Sequence, residues 1–538
     1  SMLHVVHVRR RKKTRSLCSL YSSRAVGPPP SPASPPSPPI PLSSPLFDTL
    51  RMRRPANEIL CAVLLGIGQL CMYTGFDTQS FIVESVVHSV SVREPHRFEQ
   101  HDGYWGPGVM YCFFTFTNLF TPWIMVKVGS RWTLVLGSIA YTIYLASFLY
   151  LHYLFFYMTS ALLGIGMAMF YMGEAGYLTE HSTRRSIDRN SALSWAVGTL
   201  CMIIGGLIML FTVQALPAEE TVDSTDDNPP HQLRHDFSDK TIRCLYGAFT
   251  GTALLSNVVL FWLPSQIDPR SLAAVTSLEP IGLASHLSKT VVALTDRRIL
   301  ALTPLFTFVG SQGAIWMNIF PTTLAFSAIL SKHVLLHAYY SIAVGLGSTL
   351  AGLFITLLSR WHADIGKRPT MICGSLLFLT AMLLTYLSTP ADATIKADMA
   401  DSNLPITPSV LIALTIAFLF GCADSCFNTA RTVICAVLFP QKRIEAFSIS
   451  KFYQALTCGL LLFLANHLTV PVYAALLSTH CLLSTALYLW ISHVTPTMEE
   501  DCRQINQCSD NTQSSYSREE LSVSRSDSEE SVSQRTDR

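Results

Sequence analysis

Charge is what this sequence has least of. Of its 538 residues only 14% are Asp, Glu, Lys or Arg, and 49% are hydrophobic, where an ordinary soluble protein carries about 25% charged residues. That balance excludes a typical soluble globular domain. Net charge is equally scant, with 38 basic against 36 acidic residues leaving +2, so there is no field of one sign to attract nucleic acid or a large acidic substrate. The 14 cysteines show neither zinc-type spacing beside histidine nor a secreted disulfide framework. Most lie in apolar segments, where cysteine packs as a small hydrophobe; Cys422 and Cys426, four apart on one helix face, read the same way. There is no glycine-rich nucleotide loop, no Ser-His-Asp or Cys-His constellation and no metal-ligand cluster, so no enzyme, cofactor or metal is expected. Asn-X-Ser/Thr sequons are missing too, which leaves external loops without a glycosylation marker.

What charge there is sits mostly at the ends. Residues 1–55 hold ten Lys or Arg and a single acid, Asp48, among many Pro and Ser. Such a stretch cannot bury a core and is expected to be a disordered basic tail; its proline density argues against the amphipathic helix of a mitochondrial transit peptide. Met52, just before the first apolar stretch, is an alternative start. Residues 495–538 hold ten acids and five bases in a Ser-rich run, expected to be a disordered acidic tail with phosphorylation as a hypothesis.

Between the tails, apolar stretches of roughly 20 residues follow one another, each long enough for a ~30 Å hydrocarbon core. Twelve are expected, at about 57–82, 104–126, 131–150, 154–178, 190–213, 242–263, 299–325, 333–358, 369–388, 408–436, 446–467 and 471–493. Lys and Arg are retained on the cytoplasmic side of a membrane. With the N-terminus inside, the internal loops hold fourteen of them, including Lys127, Arg131, Arg184, Arg185, Arg189, Lys367 and Arg368, against six outside. Both termini are therefore expected in the cytosol, with the plasma membrane and endomembranes equally open.

An internal repeat narrows the architecture. Gly129/Gly366, Arg131/Arg368, Thr133/Thr370, Gly137/Gly374 and Ser138/Ser375 coincide at an offset of 237, and Arg189/Arg443, Ala192/Ala446 and Ser194/Ser448 at 254. Asp364, Gly366, Lys367 and Arg368, between the second and third stretches of the second half, resemble the loop signature of the major facilitator superfamily. There glycine permits a tight turn and the basic pair can meet helix C-terminal carbonyls. The first copy is degenerate, with Lys127 where the acid would stand. The fold expected is an all-α polytopic membrane protein with twelve transmembrane helices in two pseudo-symmetric six-helix halves. The divisions are a basic tail at 1–55, an N-terminal half at 56–264, a central loop at 265–298, a C-terminal half at 299–494 and an acidic tail at 495–538.

Charges inside spans cost ~2.5–3.5 kcal/mol each on insertion scales and need a reason. Glu174 lies in the fourth stretch, and Asp424 and Arg431 lie seven apart on one face of the tenth. In the superfamily the first and fourth helices of each half line the central cavity. Two readings stay open: a carboxylate that responds to protons or pairs with substrate, with Arg431 as counter-ion, or an internal salt bridge. Gln69 in the first stretch and Gln312 and Asn318 in the seventh could face the same cavity or bond between helices. Asp77 reads as interfacial and His337 as a hydrogen-bonded structural residue.

A narrower resemblance rests on Tyr177, Leu178 and Thr179 with the following Glu180-His181-Ser182, and on the string from Gly421 through Asp424, Ser425, Phe427, Asn428 and Thr429, followed by Lys451-Phe452. These residues resemble the uncoordinated-ninety-three family over about 57–493. The resemblance implies the transporter fold and one of two roles. Characterised members act as an auxiliary regulator of a potassium channel and as a trafficking chaperone of nucleic-acid-sensing Toll-like receptors, while the branch most similar to this chain is regarded as an orphan solute carrier. A channel or receptor subunit, or a small polar solute moved by alternating access, is the implied partner beside the lipid bilayer. The family tends to place Gly-Gln-Gly ahead of the Tyr-Leu-Thr string, whereas this chain has Gly173-Glu174-Ala175-Gly176, an added charge that sets its cavity apart.

Overall fold

The computed structural model describes residues 45–99, 101–183, 186–215, 238–265, 271, 282–359, 368–396, 404–438 and 443–493. By internal contacts the chain falls into two units, Ser1–Leu50 with His493–Arg538, and Arg51–Ser492. The first is described only at 45–50, which are helical, and at His493, which is exposed. Of the expected basic tail only 45–55 are described, and these are helical rather than disordered. The expected acidic tail and the loop at 216–237 lie outside the described residues, as do 266–270 and 272–281 of the expected central loop, whose described part carries a helix at Leu283–Leu294.

The described chain is helical almost throughout. In order run α1 (Pro45–Ser80), α2 (Val83–Arg93), α3 (Asp102–Asn118), α4 (Thr121–Val128), α5 (Ser130–Ser147), α6 (Tyr153–Glu180), α7 (Ile187–Gly198), α8 (Cys201–Ala215), α9 (Asp239–Phe261), α10 (Leu283–Leu294), α11 (Arg297–Ala314), α12 (Phe320–Phe326), α13 (Leu336–Ser359), α14 (Arg368–Ser388), α15 (Val410–Leu438), α16 (Arg443–Phe463) and α17 (Val470–His493). Ten helices among the described residues are long and apolar enough to cross a membrane, and eleven if the bent pair α3–α4 counts as one span. The expected stretch left over is the third, α5, an 18-residue helix that opens on Ser130 and Arg131 and carries Thr and Tyr through its length. Its polar residues, not its length alone, lower its hydropathy.

Many hydroxyls lie in these spans, and a number of the threonines bond back to their own helix. Thr74, Thr115, Thr250, Thr356 and Thr385 all donate to the carbonyl four residues back, at 2.6–2.8 Å. A polar group in hydrocarbon is costly only while unpaired, so Thr can populate a span without marking a site. Prolines break the regularity in two places. The 68° bend between α3 and α4 precedes Pro122, and a π-helical turn at Ile315–Ile319 precedes Pro321 at the start of α12. Proline has no N–H for the carbonyl four residues back. The Trp316 carbonyl, five residues before Pro321 and left by the π-turn facing a proline nitrogen, is taken by the Tyr340 hydroxyl at 2.6 Å.

Two matching contacts join the halves. In each, the second span of one half meets the fifth of the other: α3 packs on α16, and α13 on α8. Ser448 Oγ donates to the Asn118 carbonyl at 2.8 Å in the first, and Ser341 Oγ to the Met202 carbonyl at 2.7 Å in the second. Small residues let the backbones approach, as membrane helix interfaces require. A methyl on Gly206 would sit 2.9 Å from the Ala338 carbonyl. Outward faces of the spans expose Leu254, Leu255, Phe354, Leu357 and Trp490, the surface a lipid bilayer covers.

Candidate functional site

Four polar residues on the first and fourth spans of each half form two similar pairs. In the C-terminal half, Gln312 Nε2 on α11 donates to Asp424 Oδ1 on α15 at 2.5 Å, and Asn428 Nδ2 donates to the same oxygen at 2.9 Å. In the N-terminal half, the Gln69 amide on α1 faces the Glu174 carboxylate on α6. That approach stops short of hydrogen-bond geometry: Gln69 Oε1 accepts from Ser194 Oγ at 2.9 Å, while its Nε2 has no partner. Glu174/Asp424 and Tyr177/Phe427 share an offset of 250 in sequence, so the internal repeat extends into the fourth spans. The glutamines are fully buried, whereas both carboxyl residues keep part of their surface accessible.

Both cations come from the C-terminal half. Arg431, 3% exposed, donates from Nη1 to Gln454 Oε1 on α16, and its guanidinium lies 5.7 Å from the Phe447 ring. Its Nε has no hydrogen-bond partner. Lys451 on α16, 8% exposed, sits 4.1 Å from the centre of the Tyr171 ring on α6 and within electrostatic reach of Glu174, Asp424 and Arg431. Among the described residues none of these four charges forms an ion pair within 4.0 Å. The direct Asp424–Arg431 salt bridge suggested by their spacing is therefore corrected: two turns of helix align the residues, but the amides of Gln312 and Asn428 hold the carboxylate and Gln454 holds the guanidinium. Lys451 was missed as a charge, although it falls inside the stretch expected at 446–467; its place in the motif string hid it.

Of the other predicted residues, Asn318 is buried in the π-helical turn, six residues beyond Gln312, and is not among the partners of the cluster. Asp77 accepts from Cys201 Sγ at 3.3 Å inside the N-terminal half. His337 Nε2 meets the Pro321 carbonyl at 3.1 Å. Tyr177, fully buried, donates to the Pro264 carbonyl at 3.1 Å, so the family string ties the end of α6 to the chain after α9. Leu178 is buried beside it, and Thr179 donates to the Gly176 carbonyl. Phe427 fills the C-terminal core against Phe308, Thr429 donates to the Ser425 carbonyl, and Ser425 lies near Gly352.

The repeated loop residues act on helix ends. Gly129 takes φ +88°, a left-handed conformation that favours glycine, between α4 and α5. Arg131 donates to the Phe261 carbonyl at the end of α9. Its counterpart Arg368 donates to the Ser492 carbonyl at 2.7 Å and to Ser492 Oγ at 3.0 Å near the end of α17. In each half a cation at the head of the third span meets the unsatisfied carbonyls at the tail of the sixth, where the helix dipole is negative. Lys127 lies 4.3 Å from the Trp123 ring. Asp364, Gly366 and Lys367 lie outside the described residues.

A protein-family profile described as "Ion channel regulatory protein UNC-93" matches residues 94–489, well over half of the chain. The chain belongs to the UNC-93 family. Within it, the chain is 26% identical over 432 residues to the UNC93-like protein MFSD11 of Xenopus laevis, covering 78% of this chain and 92% of that one. The Xenopus tropicalis protein of the same name is 27% identical over the same length. UNC93-like protein 3 of Arabidopsis thaliana is 24% identical over 378 residues, 68% of this chain and 73% of its own length. Among solved structures the chain resembles a mutant of the nucleoside transporter NupG, with a TM-score of 0.50 and 12% identity over 80% of this chain and 99% of the other. That likeness shows the major facilitator fold and carries nothing about substrate.

Proposed function

We propose that this UNC-93 family member is a secondary transporter that moves a small polar solute by alternating access, without chemistry on it. The observation that carries this reading is the charge cluster. Glu174 from one half and Asp424, Arg431 and Lys451 from the other are gathered inside a bundle of membrane spans, unpaired by direct ion pairs. Intramembrane charge is expensive, and its retention at a meeting of two pseudo-symmetric halves is what a solute pathway requires. The two glycine- and serine-lined contacts between the halves suit rocking of one half on the other. From the loop charges, both termini face the cytosol. The test is uptake by the reconstituted full-length protein across a pH range, with Glu174→Gln and Asp424→Asn beside the wild type. Either variant should lower or shift uptake, and unchanged uptake in both removes the cluster from the mechanism.

A second reading, a regulator of an ion channel or of receptor trafficking, is favoured by the description of the matching family. It expects function to survive neutralisation of the cluster and a channel or receptor subunit to co-purify from native membranes. Recovery of no such partner, together with solute uptake by the purified protein alone, removes it.

A further inference from the structure

Glu174 and Asp424 balance Arg431 and Lys451, while Asp77 on the first span, held by the Cys201 thiol at 3.3 Å, is a further carboxyl group within electrostatic reach of Asp424. A solute of net charge entering such a place would bring an uncompensated charge to membrane depth, the situation insertion scales penalise. Polar atoms are left over in both halves. The Nε of Arg431 and the Nε2 of Gln69, on residues 3% and 0% exposed, are donors without partners, and Oε1 of the fully buried Gln312 is an acceptor without one. The cations belong wholly to the C-terminal half, whereas the carboxylates, one in each half, keep accessible surface.

We infer that the cluster recognises a small zwitterion of the amino-acid type, its anionic group against Arg431 and Lys451 and its cationic group against the Glu174 carboxylate. This deepens the transporter reading and rests on it for the site's place in a solute pathway. An anion between Arg431 and Lys451 takes up the spare Nε donor and separates two like charges. An ammonium group at Glu174 supplies the N–H donors that the Gln69 amide, turned toward Ser194, does not bring to hydrogen-bond geometry. A solute with no ionised group would bring an opposite charge to neither side.

The probe is an equimolar mixture of neutral α-amino acids, compared with the same acids amidated (cations), the same acids N-acetylated (anions) and uridine (polar, uncharged). Thermal stabilisation of the purified full chain in lipid reads binding, and uptake into proteoliposomes reads transport. The free amino acids should stabilise at concentrations at least about tenfold below either blocked set. Glu174→Gln should abolish the preference over the N-acetylated set, and Arg431→Gln or Lys451→Gln the preference over the amides. Lys451→Arg and Glu174→Asp keep the charges and should keep the preference if a neutralised variant fails to fold. Equal stabilisation by blocked and free acids, stabilisation by uridine alone, or none by any probe overturns the assignment. Binding of the free acids without uptake supports it and removes the transport reading; uptake of uridine without response to the acids leaves transport and removes the zwitterion.

Discussion

The two halves of this UNC-93 family protein share a scaffold and differ in what they place on it. Each sets a glutamine on its first span toward a carboxylate on its fourth, and each sends an arginine from the head of its third span to a carbonyl near the tail of its sixth. Only the C-terminal half adds Arg431 and Lys451; at the matching offsets of 250 and 254 the N-terminal half has His181 and Val197. The shared features hold helices together, and a duplicated chain needs them twice. The cations are confined to one half, so the site is polar in direction even though its frame is nearly two-fold.

Close helix contacts should show the largest difference between the halves. A methyl on Gly310 would lie 2.1 Å from the Gln454 carbonyl, between the first and fifth spans of the C-terminal half; on Gly66, in the matching N-terminal contact, it would lie 2.8 Å from the Ser194 carbonyl. Backbone cannot yield as a side chain does, so Gly310→Ala should cost at least ~1–3 kcal/mol and Gly66→Ala less, read as the drop in melting temperature of the purified protein. Equal drops would mean the two contacts are equally tight.

Neutralising the carboxylates comes next. Asp424→Asn leaves two buried cations facing Glu174 alone and disturbs bonds from Gln312 and Asn428, whereas Glu174→Gln leaves Asp424 near both cations. The Asp424 variant should lose more stability, and the Lys451→Met background should shrink the gap because one of the stranded charges is gone. A double-mutant cycle by thermal melting measures it; a gap that does not shrink would uncouple Lys451 from Asp424.

Smallest is the contrast between the two helix-end arginines. Arg368 makes two hydrogen bonds to Ser492, and Arg131 one to Phe261 with ring contacts to Trp132 and Phe261 at 5.8 and 5.6 Å. Arg368→Ala should cost about 1–2 kcal/mol and Arg131→Ala somewhat less, again by melting temperature. The reverse order would show that the ring contacts outweigh the second hydrogen bond.

Much of the frame was legible because the bilayer enforces it locally. The apolar stretches were readable one at a time, and the arginine repeat announced two similar halves. The third stretch, α5, was legible through its place in the repeat more than through its hydropathy. The site was legible in its residue types and only partly in its partners. Spacing put Asp424 and Arg431 on one face, but side chains that share a face choose among everything opposite them, and here amides on α11 and α16 were the better-placed groups. Lys451 was visible as a residue and not as a member of the site, since nothing in a string of residues tells that the start of the eleventh span lies against Tyr171 of the fourth.

The sequence by itself determined that this chain is a helical bundle of membrane spans built from two related halves, because hydrocarbon thickness and backbone hydrogen bonding act span by span. Tertiary structure alone decided which charges meet, which amides hold them, and that both cations stand on one side of the site, because those contacts, from the four residues between Asp424 and Asn428 to the 112 between Gln312 and Asp424, depend on how each helix is turned in the bundle.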